Sequence, residues 1–257
     1  MEHIYNNTFF DYIDDSASAS AEAFVDTLNP LLNPRSVLDL GSGRGVWLAR
    51  WRAAGACDVL GVDGDYVDRQ NLAIPEHCFR AADLTQPVAT DHRFDLAQSL
   101  EVGEHLPERA SRTLVDSLTN ASDLVLFSAA VPGQGGECHI NEQPLAYWQA
   151  LFAERGYQAY DCVRPEMADK PQVAPWYRYN AVLYANAEGR KRLPARVVQT
   201  MVSEGTELAE SGNVKWRLRR AIVGRLPRNT VTRIAQLRAS VLAWQARTRH
   251  ARRAAHS

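Results

Sequence analysis

The chain has 257 residues, 29 Lys and Arg against 30 Asp and Glu, and 46% hydrophobic residues, which suits one α/β domain with a full core and an appendage. No run approaches the roughly 18 uninterrupted apolar residues of a spanning helix, and Met-Glu-His-Ile-Tyr-Asn-Asn lacks the basic start and apolar run of a secretion signal, so a cytoplasmic protein is expected. Cys57, Cys78, Cys138 and Cys162 show no Cys-x-x-Cys spacing, which excludes a zinc ribbon or redox pair and predicts reduced, mostly buried thiols.

The near-neutral total hides an asymmetry. Residues 1–188 carry 13 basic against 27 acidic groups, a net −14, and residues 189–257 carry 16 against 3, a net +13. Three regions follow: an N-terminal helical lid over 1–34, a body over 35–188, and a basic amphipathic helical tail over 189–257.

In chain order, Tyr5, Phe9 and Tyr12 are spaced to share a helical face, either as a lid over a ligand or as core packing. Ser20 to Leu32 reads as a helix with Phe24, Leu28, Leu31 and Leu32 on one face, ended by Asn33-Pro34. Strands are predicted near 36–40, 58–63, 78–82, 94–100, 123–129, 157–163 and 180–185, alternating with helical patterns as in a mostly parallel sheet with helices on both faces. The connection holding Pro165, Pro171, Pro175 and Trp176-Tyr177-Arg178 is too long for a hairpin turn and reads as a substrate-contacting loop. The tail predicts two basic amphipathic helices, one with Trp216, Leu218 and Val223, the other with Ile234, Leu237, Val241 and Trp244.

Val37-Leu38-Asp39-Leu40-Gly41-Ser42-Gly43-Arg44-Gly45 places an apolar strand before a glycine-rich turn and a helix. Glycines let the backbone approach a ligand closely. A dinucleotide site would avoid the acid at Asp39, because its helix N-terminus serves an anionic pyrophosphate. A second acid, Asp63 in Gly61-Val62-Asp63, lies roughly twenty residues on, where a carboxylate can accept both ribose hydroxyls. A third stands in Ala82-Asp83-Leu84. These residues resemble the motifs of class I S-adenosylmethionine (SAM) dependent methyltransferases, and the resemblance spans about residues 35 to 185. It implies a seven-stranded Rossmann-like fold, with Asp39, Gly41, Gly43 and Gly45 against the methionine part of SAM. It further implies Asp63 on the ribose, Asp83 and Leu84 about the adenine, and Ser99 at the cofactor.

After the fourth strand the chain reads Ser99-Leu100-Glu101-Val102-Gly103-Glu104-His105, where positions i, i+3 and i+4 can converge. His139 follows the fifth strand in a glycine-rich loop, and both loops leave the carboxyl ends of neighbouring strands. Two carboxylates and two imidazoles suit Mg²⁺ or another divalent cation, and Glu101, His105 and His139 are also candidates for catalysis without metal, an imidazole serving as general base. A third reading has the Glu-His pair simply beginning a helix.

Glu-x-x-Glu-His with a later His resembles the metal-binding pattern of small-RNA 3′-terminal 2′-O-methyltransferases and, in its first part, of ubiquinone-pathway O-methyltransferases. Residues 128–148, with Val-Pro-Gly-Gln-Gly-Gly and His-Ile-Asn-Glu-Gln, look like a bacterial subgroup of glycan and natural-product tailoring enzymes. The resemblance implies a SAM-dependent O-methyltransferase for a small-molecule or lipid-linked glycan hydroxyl. The rivals are an RNA 3′ end, disfavoured by the acidic body, an amine acceptor, transformation of SAM itself, and SAM binding without chemistry. The tail is expected to serve as an interfacial anchor at the inner face of a membrane, a phosphate-binding arm, or a pair of helices docked on the body or a second subunit.

Overall fold

The computed structural model describes residues 7–227 and 229–236, with side chains from Ala17 onward. Helix α1 (Asn7–Leu32) is longer than predicted and contains Pro30. Pro30 lies so near the helix end that the bond it forfeits is among the last, and Asn33, at φ 41°, closes the helix in the left-handed conformation. Ala17, Ala21, Phe24, Val25 and Leu28 are buried along one face, the spacing of an amphipathic helix. The predicted face of Tyr5, Phe9 and Tyr12 lies outside the described side chains.

The sheet has seven strands: β1 (Ser36–Leu40), β2 (Asp58–Asp63), β3 (Phe79–Ala81), β4 (Leu96–Leu100), β5 (Leu124–Ser128), β6 (Gln158–Tyr160) and β7 (Val182–Ala185). Their spatial order is β3-β2-β1-β4-β5-β7-β6, with β7 antiparallel to both of its neighbours and every other pair parallel. Apolar residues cover both faces, as a sheet buried on two sides requires. Helices α1 and α2 (Val46–Ala53) pack on one face with Val37, Leu96 and Leu126. Helices α3 (Ser111–Ala121) and α4 (Leu145–Ala153) pack on the other with Leu38, Leu40 and Val125.

Five of the predicted strands are shorter in the structure, the sixth most of all. Phe94 makes only an isolated bridge to Ser122 before β4 begins. β6 stops at Tyr160, and its outer edge is met by residues 200–202, with Asp161 N–H donating to Thr200 O at 3.0 Å and Val202 N–H to Ala159 O at 2.9 Å. The predicted loop before β7 carries helices α5 (Arg164–Met167) and α6 (Pro175–Asn180) instead. Pro175 begins α6, where its missing N–H costs nothing.

Beyond β7, α7 (Ala187–Arg192) and α8 (Ala195–Val198) lead to α9 (Val214–Val223) and a further helical stretch over 229–236. This segment packs on the body. Leu208 and Trp216 are buried, Trp216 lies 5.7 Å from Tyr179 between ring centroids, and Arg192 pairs with Asp95 at 3.1 Å. The predicted face of the first tail helix is split: Trp216 and Val223 face the body, whereas Leu218 is 59% exposed. Leu237, Val241 and Trp244 lie outside the described residues. Only Cys162 of the four cysteines is fully buried; Cys78 and Cys138 are half-buried and Cys57 is exposed. No described helix is long and apolar enough to cross a membrane.

Candidate active site

β1 delivers Asp39 at its carboxyl end, 2% exposed. Trp51 of α2 donates to Gln98 at 2.9 Å, and Gln98 donates to Asp39 at 2.9 Å, so the carboxylate is aimed by a buried relay. Burial, against the hydrogen bond from Gln98 and with a smaller push from neighbouring Asp63, raises the Asp39 carboxyl to about 7. The chain turns at Gly41, whose φ is +86° and where a Cβ would stand 2.2 Å from Val102. That contact brings the β4 loop against the glycine turn. Asp63 accepts from Gly43 N–H and Gly64 N–H, each at 2.7 Å, and from the Tyr66 hydroxyl at 2.5 Å. It thus fixes the glycine turn and its own turn together.

Two further predicted cofactor residues lie after β3 and within β4. Asp83 is exposed and accepts from Thr85 N–H at 2.9 Å, a local turn rather than a closed binding wall, although adjacent Leu84 is buried. Ser99 is fully buried and donates to Leu40 O at 2.8 Å, which ties β4 to β1.

The second half of the site follows β4. Glu101 adopts φ 58°, a left-handed conformation uncommon for a side chain with a Cβ, and Gly103–His105 form one 3-10 turn. Glu104, His105 and His139 each place a ligand atom within 4.8 Å of the others. Both Glu104 oxygens and His105 Nδ1 are buried without a partner. Burial, and then Glu101, push the Glu104 carboxyl well above its ordinary range. Burial, and then His139, push His105 down to about 3, so its imidazole is neutral at physiological pH.

The fourth predicted ligand, Glu101, stands beside the trio rather than within it. Its Oε2 accepts from Gln134 at 2.6 Å and its Oε1 is buried without a partner. Burial raises its carboxyl too.

His139 is held by the loop after β5. Ile140 and Asn141 N–H both donate to Glu104 O, at 2.9 and 3.0 Å, which locks that loop to the 3-10 turn. Cys138, just before His139, takes φ 58°. His139 Nδ1 lies 2.9 Å from Glu142, which also accepts from Gly133 and Gly135 N–H at 2.8 and 2.7 Å. A charged Glu142 makes Nδ1 the donor, leaving the lone pair on Nε2, 4.0 Å from Glu104 Oε1. His105 is likewise engaged by the Cys138 backbone, and its Nδ1 is buried without a partner. Imidazoles with one nitrogen fixed by an outer acceptor and the other free are arranged as metal ligands are.

Of the three residues expected at the substrate, Tyr177 is buried on α6. It lies 5.1 Å from Trp47 between ring centroids and near enough to Glu101, Glu104 and Asp39 that burial and these acids raise its phenol. Trp176 packs against the core, and Arg178 donates to Val173 O at 2.5 Å and lies over the Tyr179 ring. Sequence reasoning missed Gln134, Asn180 and Glu142. Asn180 donates to Gln134 Oε1 at 2.7 Å, and Gln134 donates in turn to Glu101. No motif announces a buried amide relay; the only signal was the density of polar residues in 134–143. Outside the cluster, a cavity of about 190 Å³ is lined by His139, Glu142, Gly136, Val223, Leu226 and Val231, so the tail forms one of its walls.

The fold and the glycine turn with its buried acids define a class I SAM-dependent methyltransferase. The chain belongs to the methyltransferase-domain family, whose model matches residues 14–161. No curated protein matches the sequence. Among solved structures it is similar to DesVI of Streptomyces venezuelae (13% identity, TM-score 0.52, 69% of this chain and 96% of that one). It is similar also to an O-methyltransferase family protein from Burkholderia thailandensis (12%, 0.50, 68% and 59%). A third is the methyltransferase domain of bacterial CtHen1-C (17%, 0.50, 66% and 98%). At these identities the likeness concerns the fold.

Proposed function

We propose that the protein transfers the SAM methyl group to a hydroxyl of a small molecule or glycan, assisted by a divalent cation held by Glu104, His105 and His139. The observation that carries this reading is the buried trio itself: a Glu104 carboxyl with two unpartnered oxygens beside the unpartnered His105 Nδ1 and, at 4.0 Å, His139 Nε2. A buried carboxylate left so is costly, and a cation would satisfy all three groups at once. Once bound, such an ion lowers the pKa of an acceptor hydroxyl and favours acceptors with two adjacent oxygens, a vicinal diol or a catechol.

The chain's own residues account for the remainder. Asp39 and Asp63 supply the negative charge that a cationic donor needs, and the turn at Gly41 packs against Val102, two residues before Glu104 of the trio. Gln134 and Asn180 hold Glu101 at the edge of the cluster. Tyr177 covers the space between Asp39 and the acids and keeps water out of it. His105 is a poor base at about 3, which weighs against a metal-free mechanism resting on it.

The test is release of S-adenosylhomocysteine with a panel of catechols and sugar diols, with Mg²⁺ or Mn²⁺ and with chelator. Turnover that chelation abolishes and added metal restores is expected. Turnover indifferent to chelator would remove the cation from the reaction.

A further inference from the structure

Five of the seven large hydrophobic side chains exposed among the described residues belong to the tail: Val214, Leu218, Ile222, Leu226 and Ile234, against Tyr66 and Ile140 elsewhere. Val214, Leu218 and Ile222 recur every four residues and form one outward line along α9. Rotation cannot bury that line, because the opposite face is fixed. Arg220 donates to Pro132 O at 2.8 Å and to Glu210, and Arg219 donates to Gln134 O at 2.5 Å. Glycines let the helix sit this close: a Cβ at Gly133 would meet Arg220 O at 2.6 Å, and one at Gly135 would meet Val223 at 2.5 Å.

Exposed Lys215, Arg217, Arg225 and Arg233 accompany the stripe, and the sequence has no Asp or Glu after Glu210. An apolar line among uncompensated cations is complementary to one kind of surface, a lipid bilayer with anionic headgroups, where side chains enter the acyl boundary and Lys and Arg remain at the phosphates. Nucleic acid would use the charge and leave the apolar line in water; Trp216, which could have stacked on a base, is turned inward. A second copy offers an acidic body on which, among the described residues, only Tyr66 and Ile140 are exposed large hydrophobics, and two basic tails face to face would repel.

We infer that the outer face of α9 docks the enzyme peripherally on anionic membranes, with the inner face clamping the glycine loop that carries Gln134 and leads to His139.

The experiment is co-sedimentation of the full-length chain with phosphatidylglycerol-containing vesicles and with pure phosphatidylcholine vesicles, beside a Leu218→Glu/Ile222→Glu variant. The expected result is at least tenfold stronger partitioning to the anionic vesicles, weakened by salt. The variant is expected to lose that partitioning while its SAM affinity and thermal unfolding stay as in the wild type. Absence of binding to anionic vesicles, or equal binding by the variant, would overturn the inference. So would a concentration-dependent dimer dissolved by the same changes, or RNA retention that ignores them, with no vesicle binding in either case.

Discussion

Asp39 and Asp63 are both buried at strand ends, yet they differ in what holds them. Asp63 accepts three hydrogen bonds, two from its own turn and one from Gly43 of the glycine turn, whereas Asp39 has one from Gln98. Burial therefore dominates Asp39, whose carboxyl rises from 3.8 to about 7. Because the folded value lies above the unfolded one, the stability it contributes is full below about 3.8 and is lost as pH rises through about 7. A cationic donor needs the carboxylate, so SAM affinity should increase with pH up to about 7, by as much as about tenfold per unit, and level off above it. Asp39→Asn should flatten that profile in calorimetric titrations; an unchanged profile would assign the dependence elsewhere. Asp63→Ala should weaken SAM binding by about 1.5–3 kcal/mol, the worth of hydrogen bonds to a charged group, and unaltered affinity would refute its ribose role. At this scale the acids at strand ends were legible because their type and spacing carry the chemistry. Gln134, Asn180 and Glu142 were not, since an amide or carboxylate in a loop acquires its role only from what the fold sets beside it.

The turn between β1 and α2 is the element on which the two halves of the site meet. Gly41→Ala would add a strained left-handed residue and a Cβ against Val102, so we expect a loss of about 1–3 kcal/mol in stability together with weaker SAM binding. A variant melting like the wild type with full affinity would show that the turn tolerates a side chain. Strand positions could be read from apolar runs bounded by glycine and acid, whereas the spatial order of the strands was set by the fold. The end of β6 could not be read, because residues 200–202 pair with it from far along the chain. Helix α6 was hidden for a local reason: Pro175 punctuates a sequence as a break, yet it is well placed as the first residue of a helix. In α9 the mixture of Trp, Leu and Arg gave an amphipathic pattern with the wrong inward set, since Arg219 and Arg220 reach backbone carbonyls of the body and Leu218 is left outside.

Across the molecule, the charge asymmetry between residues 1–188 and 189–257 is resolved in part by packing, with Arg192 on Asp95 and Trp216 against Tyr179. Trp216→Ala should cost about 3–5 kcal/mol, as for a large aromatic in a core, and chemical denaturation would measure it. A change below about 1 kcal/mol would mean that the tail contributes little to the fold. By the same packing, a chain ending at residue 188 should melt well below the full protein. What the whole arrangement converges on is the trio of Glu104, His105 and His139. The most direct measurement is a calorimetric titration of the metal-free, full-length protein with Mn²⁺ and Mg²⁺, with Glu104→Ala and His139→Ala variants shown to be folded by circular dichroism. The account predicts one bound ion per chain in the wild type and at least a tenfold loss in each variant. No binding in the wild type, with SAM present, or binding undiminished in both variants, would contradict it.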